Sequence, residues 1–573
     1  MLRLSSHRAQ TITEHGLWMV LSLAIPLYYG LQTLAFLANQ PYVVQDDARQ
    51  HIVWFQRLLD PDLFPQDWIA DYFQAIAPLG YKAVYGLAAQ LGIEPLELAR
   101  FLPLGLALIA TVYLFKLTFL LFPVPAGAFL ATLILNQQLW LNDDLLSATP
   151  RAFVYPIFAA FLYYLARRSL LPCLLTIGLQ GLFFPQLVLV QAGMLTLRLV
   201  QWRGGRLVLS GDRCDYQFWL AGVGVAILSL LPFALSLSEF GAAITAEQMR
   251  QLPEYQRFGR SEYFGLESWN FWLNGSSGLR IPVFPSIILV GFALPWTVAR
   301  SRAPLRQLLN PEIHLVLNLM LASLGWYGLA HLLLLRLHFP SRYLYHSWRF
   351  ALAIAAGITL TLWLESGWRW LQWRNRRNAG LDGRDRLLMA VVALVAAVVV
   401  VVPGLPVLFL KFHGWIIGTA DPIYAYLQDT PNATLVAALI NESNNLPAFA
   451  QRSTLVGREF ALSHHPQYYE EMRQRMTALV EAQYSPDRAP LQQAIARYGI
   501  DYWLVDSATF TADYLRSQDW LYHSSIQLTV QAAIASLEEN RQAAIVSGFT
   551  ACTVAQSETL RLLDAQCLVQ SGS

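Results

Sequence analysis

Residues 16–51 read GLWMVLSLAIPLYYGLQTLAFLANQPYVVQDDARQH, and this stretch joins a long apolar segment to two adjacent carboxylates. The apolar part, residues 16–38, reaches the length of about 20 residues that a membrane-spanning helix needs. Asp46 and Asp47 follow it closely. Because two charges at a membrane edge cost free energy to keep there, the pair indicates a functional site at the end of a first membrane helix.

The composition of the whole chain indicates a protein with several membrane spans. Of its 573 residues, 55% are hydrophobic and only 14% are charged, whereas a soluble domain carries about 25% charged residues. The net charge of +2 gives no support for nucleic-acid binding. The first apolar segment lacks a small-residue cleavage site, so we interpret it as an uncleaved helix.

The apolar segments predict a polytopic α-helical protein with about eleven transmembrane helices. The predicted spans are residues 16–38, 98–122, 125–141, 152–166, 169–182, 184–200, 217–238, 282–299, 312–335, 343–364 and 387–410. Segment 78–92 is too short to span, and we assign it to an interfacial or re-entrant helix.

Basic residues predict the orientation of the chain. If the N-terminus is cytoplasmic, clusters such as Arg167-Arg168 and Arg376-Arg377 fall in inner loops, as the positive-inside rule requires. We therefore expect a multi-pass protein of the plasma (inner) membrane. The outer face then carries residues 40–97, 142–151, 239–281 and 337–342, together with the C-terminal tail.

Two domains are predicted. Residues 1–410 form the transmembrane domain, with juxtamembrane helices in the outer loop 40–97 and a second long outer loop at 239–281. Residues 411–573 are more polar and alternate short apolar runs with helical stretches. This pattern predicts an extracytoplasmic C-terminal domain of the α/β or α+β class.

Two explanations fit Asp46 and Asp47. An Asp is a favoured helix N-cap, but capping accounts for one of the two better than for both. The alternative is a general base, which a second acidic cluster on the same predicted face, Asp143 and Asp144, would assist. The four carboxylates could instead hold a divalent cation such as Mg²⁺ or Mn²⁺. The residues alone leave these alternatives open.

Arg342, Tyr343 and Arg349 begin a late span. The two arginines are seven residues apart, so they lie on one helix face, about two turns from each other. Arg342 alone is explained by a charge that reaches the interface. Arg349 would lie in or close to the membrane and needs a partner or a water-filled cavity. A planar guanidinium suits a phosphate.

Cys552 and Cys567 lie in the predicted outer domain, fifteen residues apart. Outside the cytosol such a pair can be oxidised. We expect a disulfide that closes a short loop.

The order of these motifs resembles the GT-C superfamily of integral membrane glycosyltransferases, in the layout of its protein mannosyltransferase and aminoarabinose transferase branch. The resemblance covers residues 1–365. The chain also resembles uncharacterised bacterial membrane proteins of this general type. The motifs that carry it are Asp46-Asp47, Pro78-Leu79-Gly80-Tyr81, Asn142-Asp143-Asp144 with Arg151 after it, Arg342-Tyr343, and the external C-terminal domain.

The resemblance implies transfer of a sugar from a polyprenyl-phosphate donor, with inversion at the anomeric carbon. Asp46 or Asp47 would be the base, and Asp143 or Asp144 would assist acceptor or metal binding. Arg342, with Tyr343 and Arg349, would hold the lipid phosphate. The partners would be membrane lipids, the donor, and an acceptor that is a glycan, a lipid or a protein. The Asp-Asp pair departs from the Asp-Glu common in the mannosyltransferases, which leaves the identity of the base open.

Two other functions remain open at this stage. A transporter or flippase of a lipid-linked or anionic substrate would favour charges at the midplane and inverted repeats. The acidic residues here gather at the predicted outer rim, and no repeat is evident. A non-catalytic assembly protein would tolerate replacement of Asp46 and Asp47.

Overall fold

The computed structural model describes residues 2–203, 205–235, 239–301, 304–334, 336–376, 383–405 and 414–570. Long helices dominate the first 400 residues, with short helices in the polar connections between them. In chain order the helices are α1 (Leu2–Ala38), α2 (Asp46–His51), α3 (Trp68–Ile76), α4 (Leu79–Gln90), α5 (Pro95–Leu121), α6 (Pro125–Trp140), α7 (Asp143–Leu146), α8 (Val154–Ala166), α9 (Leu170–Phe183), α10 (Gln186–Arg198), α11 (Arg213–Leu235), α12 (Ala246–Gln251), α13 (Ser268–Leu273), α14 (Leu294–Arg300), α15 (His314–Leu332), α16 (Ser347–Arg376) and α17 (Gly383–Val401).

Every apolar segment that the sequence singles out contains helix. Residues 282–299 form a 3-10 helix at Ser286–Ala293 that continues into α14. The ends of three predicted segments, residues 236–238, 335 and 406–410, lie outside the described residues. Within the described ranges, five helices are long and apolar enough to cross a membrane: His15–Ala38, Pro95–Leu121, Arg213–Pro232, Pro311–Leu332 and Ser347–Arg374. The total of eleven spans stays a prediction.

Helix α16 is at the centre of the bundle. Its residues 350–359 are buried on all sides, because α16 packs against α6, α15 and the 3-10 helix at Ser286–Ala293. Gly357 permits the close contact between α16 and α6. A Cβ at this position would lie 2.7 Å from the backbone nitrogen of Ala131 and from the carbonyl oxygen of Gly127. Small residues let helix backbones approach closely in this way.

A short antiparallel ladder connects the first polar loop to the C-terminal part of the chain. Strand β1 (Val43–Gln45) pairs with β4 (Trp415–Ile417), so that Gln45 lies opposite Trp415. A β-hairpin of β2 (Val200–Arg203) and β3 (Arg206–Leu209) lies between α10 and α11. The β1–β4 ladder matters for function because Asp46 directly follows β1.

The C-terminal part contains a mixed five-stranded sheet with helices packed around it. The strand order is β6-β5-β7-β9-β8; β5 runs parallel to β6 and β7, whereas β7–β9 and β9–β8 are antiparallel. The strands are β5 (Leu435–Ala437), β6 (Ser453–Thr454), β7 (Tyr502–Asp506), β8 (Thr553–Ser557) and β9 (Leu560–Asp564). The helices are α18 (Asp421–Gln428), α19 (Leu446–Phe449), α20 (Pro466–Tyr484), α21 (Arg488–Tyr498), α22 (Ala512–Ser517), α23 (Asp519–Tyr522), α24 (Gln527–Glu538) and α25 (Ala565–Gln570).

One further contact lies within the C-terminal part, and another joins that part to the first polar loop. Cys552 and Cys567 form a disulfide, with their Cα atoms 5.5 Å apart. Tyr72 of α3 stacks on Tyr468 of α20, with 3.7 Å between ring centroids. The first loop and the C-terminal sheet therefore share one hydrophobic core. The predicted domain boundary at residues 410 and 411 lies outside the described residues, and the division into 1–410 and 411–573 stays a prediction.

Candidate functional site

The acidic pair opens the short helix α2, but neither Asp is its N-cap. The cap is Gln45, whose side-chain oxygen accepts a hydrogen bond from the backbone nitrogen of Asp47 at 2.8 Å. The backbone nitrogen of Asp46 donates to the carbonyl oxygen of Gly414 at 2.9 Å. The capping explanation of Asp46-Asp47 is therefore wrong. The side-chain oxygen of Gln45 and the carbonyl oxygen of Gly414 accept the hydrogen bonds of the first two backbone N–H groups of this helix.

The two carboxylates of the pair contact different arginines. Asp46 is paired with Arg49 of the same helix, and Arg49 also donates to the side chain of Asn445 at 2.7 Å. Asp47 is paired instead with Arg151, which lies in the turn before α8. Adjacent residues of a helix point in different directions, so only Asp47 joins the second acidic cluster through a shared partner.

Arg151 links that second cluster to the first. Its guanidinium lies 3.3 Å from a carboxylate oxygen of Asp144 and 3.9 Å from one of Asp143, besides its contact with Asp47. The two acidic motifs and Arg151, all named by the sequence resemblance, are thus brought together.

The predicted metal site does not fit these contacts. Within the described ranges, no group of three or more His, Cys, Asp or Glu side chains is arranged to hold a metal ion. The guanidinium of Arg151 lies between Asp47 and Asp144. A cation there would be repelled by Arg151, whose positive charge already neutralises the carboxylates that would bind it. The prediction of Mg²⁺ or Mn²⁺ on Asp46, Asp47, Asp143 and Asp144 is not supported by this arrangement.

A buried ion pair lies beneath this cluster. Arg349 of α16 donates to Asp144 at 2.8 Å, and both side chains are only 1% exposed. The hydroxyl of Tyr155 also contacts the guanidinium of Arg349. The sequence-based expectation that a charge at this depth needs a partner is met by Asp144. A buried pair of this kind is held by mutual neutralisation. Removal of Arg349 would leave Asp144 with only its longer contact to Arg151.

The pKa values of the two adjacent carboxyls shift in opposite directions. Burial and the neighbouring charge of Asp144 raise the pKa of Asp143 above its usual value. For Asp144 burial is the largest single influence and acts to raise the pKa, but the charge and hydrogen bond of Arg349, together with His346 and Tyr345, outweigh it and lower the pKa. Two interacting carboxyls with environments that push their pKa values apart are typical of functional sites.

Two arginines at this end of the bundle lack carboxylate partners. No carboxylate of the described residues lies within 4.0 Å of the guanidinium of Arg342 or of Arg280. Arg342 lies over the ring of Phe184, at 5.7 Å from its centroid. Arg280 lies over the ring of Tyr345 at 4.4 Å, and Arg349 contacts that ring at 4.0 Å. Burial and the positive charges of Arg151 and Arg280 lower the pKa of Arg342 to about 10, so the guanidinium of Arg342 is charged at neutral pH.

The arrangement of these arginines differs in part from the phosphate site predicted at Arg342, Tyr343 and Arg349. Arg342 has no carboxylate partner among the described residues, and its role in binding the lipid phosphate stays a prediction. Tyr343 is not available to bind an anion, because its ring is 1% exposed and its hydroxyl donates to the carbonyl oxygen of Leu337. Arg349 is occupied by Asp144. Arg280, which the sequence analysis did not single out, supplies the second unpaired guanidinium.

Neutral histidines surround Arg342. Burial, followed by the charge of Arg342, lowers the pKa of His51 to about 4 and the pKa of His464 to about 4. Burial and Arg342 also hold the pKa of His338 well below its usual value. These imidazoles are uncharged at neutral pH, so they add hydrogen-bonding groups to the cluster but no charge.

Solved structures of similar fold give the architecture a precedent. The Archaeoglobus fulgidus oligosaccharyltransferase in its apo form superposes with a TM-score of 0.53 at 12% identity, over 90% of this chain and 72% of that one. AglB from the same organism, in complex with an inhibitory peptide and a dolichol-phosphate, gives a TM-score of 0.52 at 12% identity, over 89% and 72%. This chain has the GT-C fold. The predicted resemblance is thus confirmed at the level of fold.

The other comparisons add little to this result. ArnT from Cupriavidus metallidurans in its apo state covers 96% of this chain and 98% of its own, at 14% identity and a TM-score of 0.47. No family model and no curated protein matches the sequence. With the GT-C fold and five apolar helices of spanning length in its described parts, the chain is a multi-pass membrane protein.

Proposed function

We propose that this protein is a glycosyltransferase of the GT-C type, which moves a sugar from a polyprenyl-phosphate donor to a hydroxyl of an acceptor. One observation carries the proposal: carboxylates and two arginines without carboxylate partners meet at one polar end of a membrane-helix bundle. Transfer from a lipid phosphate needs both, since the acceptor hydroxyl must lose a proton and the departing phosphate must keep its charge.

Arg342 and Arg280 would bind the lipid phosphate. A guanidinium matches the geometry of phosphate oxygens and stays charged. Neither is neutralised by a described carboxylate, so each can form a charge-assisted hydrogen bond to the leaving group. The contact of Arg280 with Tyr345 and of Arg342 with Phe184 restricts both side chains before the donor binds. AglB, which has the same fold, was solved with a dolichol-phosphate, and this supports a lipid-phosphate donor.

Asp47 is our choice for the base. It contacts Arg151, which lies close enough to Arg342 to lower its pKa, so Asp47 belongs to the same cluster as the phosphate site. Asp46 instead contacts Arg49, which also donates a hydrogen bond to the side chain of Asn445. In the reaction Asp47 accepts the proton of the acceptor hydroxyl while that oxygen attacks the anomeric carbon. The bond from this carbon to the phosphate oxygen breaks, and the configuration inverts.

Arg151 and the second acidic pair would position this base. Arg151 holds the carboxylate of Asp47 in place by its contact, and Asp144 contacts Arg151 from the other side at 3.3 Å. Arg151 also contacts Asp143 and Asp144. It can therefore give up its contact with Asp47 when Asp47 accepts the proton of the acceptor hydroxyl. We route no step through a metal ion, since Arg151 is placed among the carboxylates that would bind one.

The orientation belongs to the same proposal. The cluster and the C-terminal sheet lie at one end of the bundle, and the positive-inside rule places that end outside the cytoplasm. We propose that transfer takes place at the outer face of a plasma membrane.

Replacement of each acidic residue of the pair tests this function. The assay is transfer from radiolabelled polyprenyl-phosphate sugars by the full chain in detergent or in nanodiscs. We expect Asp47→Asn to lower kcat by a factor of about 10²–10⁴, the contribution of a positioned base, and Asp46→Asn to have a much smaller effect. Asp62→Asn is the matched control, because Asp62 is an exposed carboxylate of the same loop.

Three results would contradict the proposal. Full transfer by Asp47→Asn, with Asp46→Asn impaired, would reassign the base. Full transfer by both would remove the base from this loop. A wild type that moves lipid-linked donor across a vesicle bilayer without any transfer would favour the flippase alternative.

A further inference from the structure

A separate cavity of about 470 Å³ lies behind the acidic pair. Its walls come from β1, β4, the start of α5 and the C-terminal part of the chain. Gln45 and Ala48, which flank Asp46-Asp47, line it, as do Leu146 and Ser147, which follow the second acidic cluster. The volume falls in the range of about 300–1,000 Å³ that small-molecule sites occupy. No role assigned so far uses this cavity.

The cavity offers no uncompensated charge. Its two charged lining residues are Glu94 and Arg100. Glu94 accepts hydrogen bonds from the backbone nitrogens of Leu96 and Glu97 at the start of α5, and one from Gln56. Arg100 is paired with Glu97 at 2.6 Å. An anion would therefore find no unpaired basic group among these lining residues, in contrast to the cluster around Arg342.

Neutral polar groups and aromatic rings make up the rest of the useful surface. No described residue forms a hydrogen bond with the side-chain amide of Gln451 or with the hydroxyl of Tyr42, and both line the cavity. Gln428 uses its amide nitrogen on the carbonyl oxygen of Phe449, at 2.7 Å. Gln451 has a φ of +55°, a backbone conformation that costs free energy outside glycine. The residue is thus held with an unused amide at the cavity.

We infer that this cavity binds a neutral carbohydrate, and that this carbohydrate belongs to the acceptor of the proposed transfer. Sugar hydroxyls donate and accept hydrogen bonds, as do the amide of Gln451 and the hydroxyl of Tyr42. Their apolar faces suit aromatic rings, which Phe449 and Trp415 supply. The inference rests on the proposed function for its second half only.

The place of the cavity suits an acceptor. The side chain of Gln45 lines the cavity and accepts a hydrogen bond from the backbone nitrogen of Asp47 at 2.8 Å. A bound ligand is therefore adjacent to the segment that carries the proposed base. The donor phosphate would bind on the other side of this segment, at Arg342 and Arg280. Two substrates would then approach the acidic pair from different sides.

Binding can be measured without turnover. The probes are the methyl glycosides of glucose, galactose and mannose, tested by saturation-transfer NMR on the full chain in detergent, with glucuronic acid as the anionic comparison. We expect at least one neutral glycoside to bind and glucuronic acid to bind more weakly. Gln451→Gly and Tyr42→Phe should each weaken binding by about threefold to tenfold, the effect of one neutral hydrogen bond.

The first variant has a close control. Asn540→Gly also removes an amide at a positive φ, here +57°, on an exposed residue outside the cavity, and it should leave binding unchanged. Glycine suits both backbone conformations, and Tyr42→Phe removes a single oxygen atom, so a loss of folding cannot explain both effects.

Kinetics then separate this inference from the proposed function. In the transfer assay Gln451→Gly should raise the KM for the acceptor and leave the KM for the donor unchanged. Active protein whose Gln451→Gly and Tyr42→Phe variants bind glycosides like the wild type would overturn the inference and leave the proposed function intact. Equal binding of glucuronic acid would overturn the neutral assignment. Weakened glycoside binding in a protein that transfers no sugar would keep the site but reject its role as an acceptor site.

Discussion

Two clusters of arginines and carboxylates in this molecule differ in their charge balance. One lies beyond the C-terminal end of α8, where Arg168 and Arg198 contact Asp212, Asp215 and Glu312 at distances of 2.5–3.8 Å. Each of its arginines has at least two carboxylate partners. We call it the balanced cluster because every arginine in it is paired, although it has one more carboxylate than it has arginines. Its contacts are satisfied internally, and this is typical of a structural network.

The candidate site lies before the N-terminal end of the same helix. It combines four arginines with three carboxylates: Arg151, Arg280, Arg342 and Arg349 with Asp47, Asp143 and Asp144. We call it the cationic cluster. Two of its arginines, Arg280 and Arg342, have no carboxylate within 4.0 Å in the described parts of the chain. The same residue types are thus paired at one end of α8, whereas two arginines at the other end have no carboxylate partner.

The largest expected effect is on stability and concerns the buried pair of each cluster. Arg349→Met and Arg198→Met should each lower the free energy of unfolding by up to about 3–5 kcal/mol. Asp144 then keeps only its 3.3 Å contact with Arg151, and Asp215 keeps only its 3.8 Å contact with Arg168. Chemical unfolding in detergent micelles measures both.

The double variants then separate the clusters. Removal of both charges, in Arg349→Met/Asp144→Leu and in Arg198→Met/Asp215→Leu, should restore much of the stability in both cases. We expect sugar transfer to return only in the second, since the balanced cluster has no role in the reaction. Recovered transfer in the Arg349/Asp144 double variant would show that this pair, too, is only structural.

The next effect in size is on donor binding. Arg280→Gln and Arg342→Gln should each raise the KM for a polyprenyl-phosphate sugar by about tenfold to a hundredfold, because each removes a charge-assisted hydrogen bond to phosphate. Steady-state kinetics over a range of donor concentrations measure this.

Arg168→Gln is the control from the balanced cluster, since Arg168 is already paired, and it should leave this KM unchanged. Unaltered donor kinetics in both Arg280→Gln and Arg342→Gln would reject the phosphate site.

The smallest expected effect is on the pH dependence of stability, and its sign differs between the clusters. The pKa of Asp143 is raised by burial and by Asp144, so the ionised carboxyl opposes folding at neutral pH, and this cost disappears as the pH falls below about 3.9. Asp143→Asn should therefore stabilise the protein at pH 7 and have less effect near pH 4.

Asp212 of the balanced cluster should behave in the opposite way. A backbone hydrogen bond from Cys214, and then Arg168, lower the pKa of Asp212, so its stabilising contribution is present above about pH 3.9 and is lost as the pH falls through the folded-state pKa. Asp212→Asn should destabilise at pH 7. Thermal unfolding at both pH values checks the pair, and shifts of equal sign would contradict the assigned charge balance.

Residue order alone predicted much of the fold and part of the site. The length of the apolar segments predicted the helices. One of the short apolar runs of the C-terminal tail, Tyr502-Trp503-Leu504-Val505, lies in strand β7. The shared predicted sidedness of Asp47 and Asp144 is matched by their common partner, Arg151. These features depend on local composition and on charge distribution along the chain, which a sequence states directly.

The pairing of charges could not be predicted in the same way. Arg280 is an ordinary basic residue before an apolar segment, and no local signal marks it. Its place in the cationic cluster follows from its contact with Tyr345, sixty-five positions away in the sequence. Arg349 suited a phosphate by its type, but its partner Asp144 lies in a different motif. A pattern shows which charges exist and not which of them neutralise one another.

The sequence by itself determined that this chain is a membrane protein, that its polar segments include two acidic motifs, and that the order of these motifs has the GT-C layout. These are properties of hydrophobic length and residue order. Only the tertiary structure decided that Gln45 caps the helix of Asp46-Asp47, that Arg151 lies among the carboxylates, and that Arg280 and Arg342 lack carboxylate partners. The physical reason is that electrostatic and hydrogen-bonding roles depend on separations of a few ångströms, which the β1–β4 ladder and the packing of α16 impose between residues hundreds of positions apart.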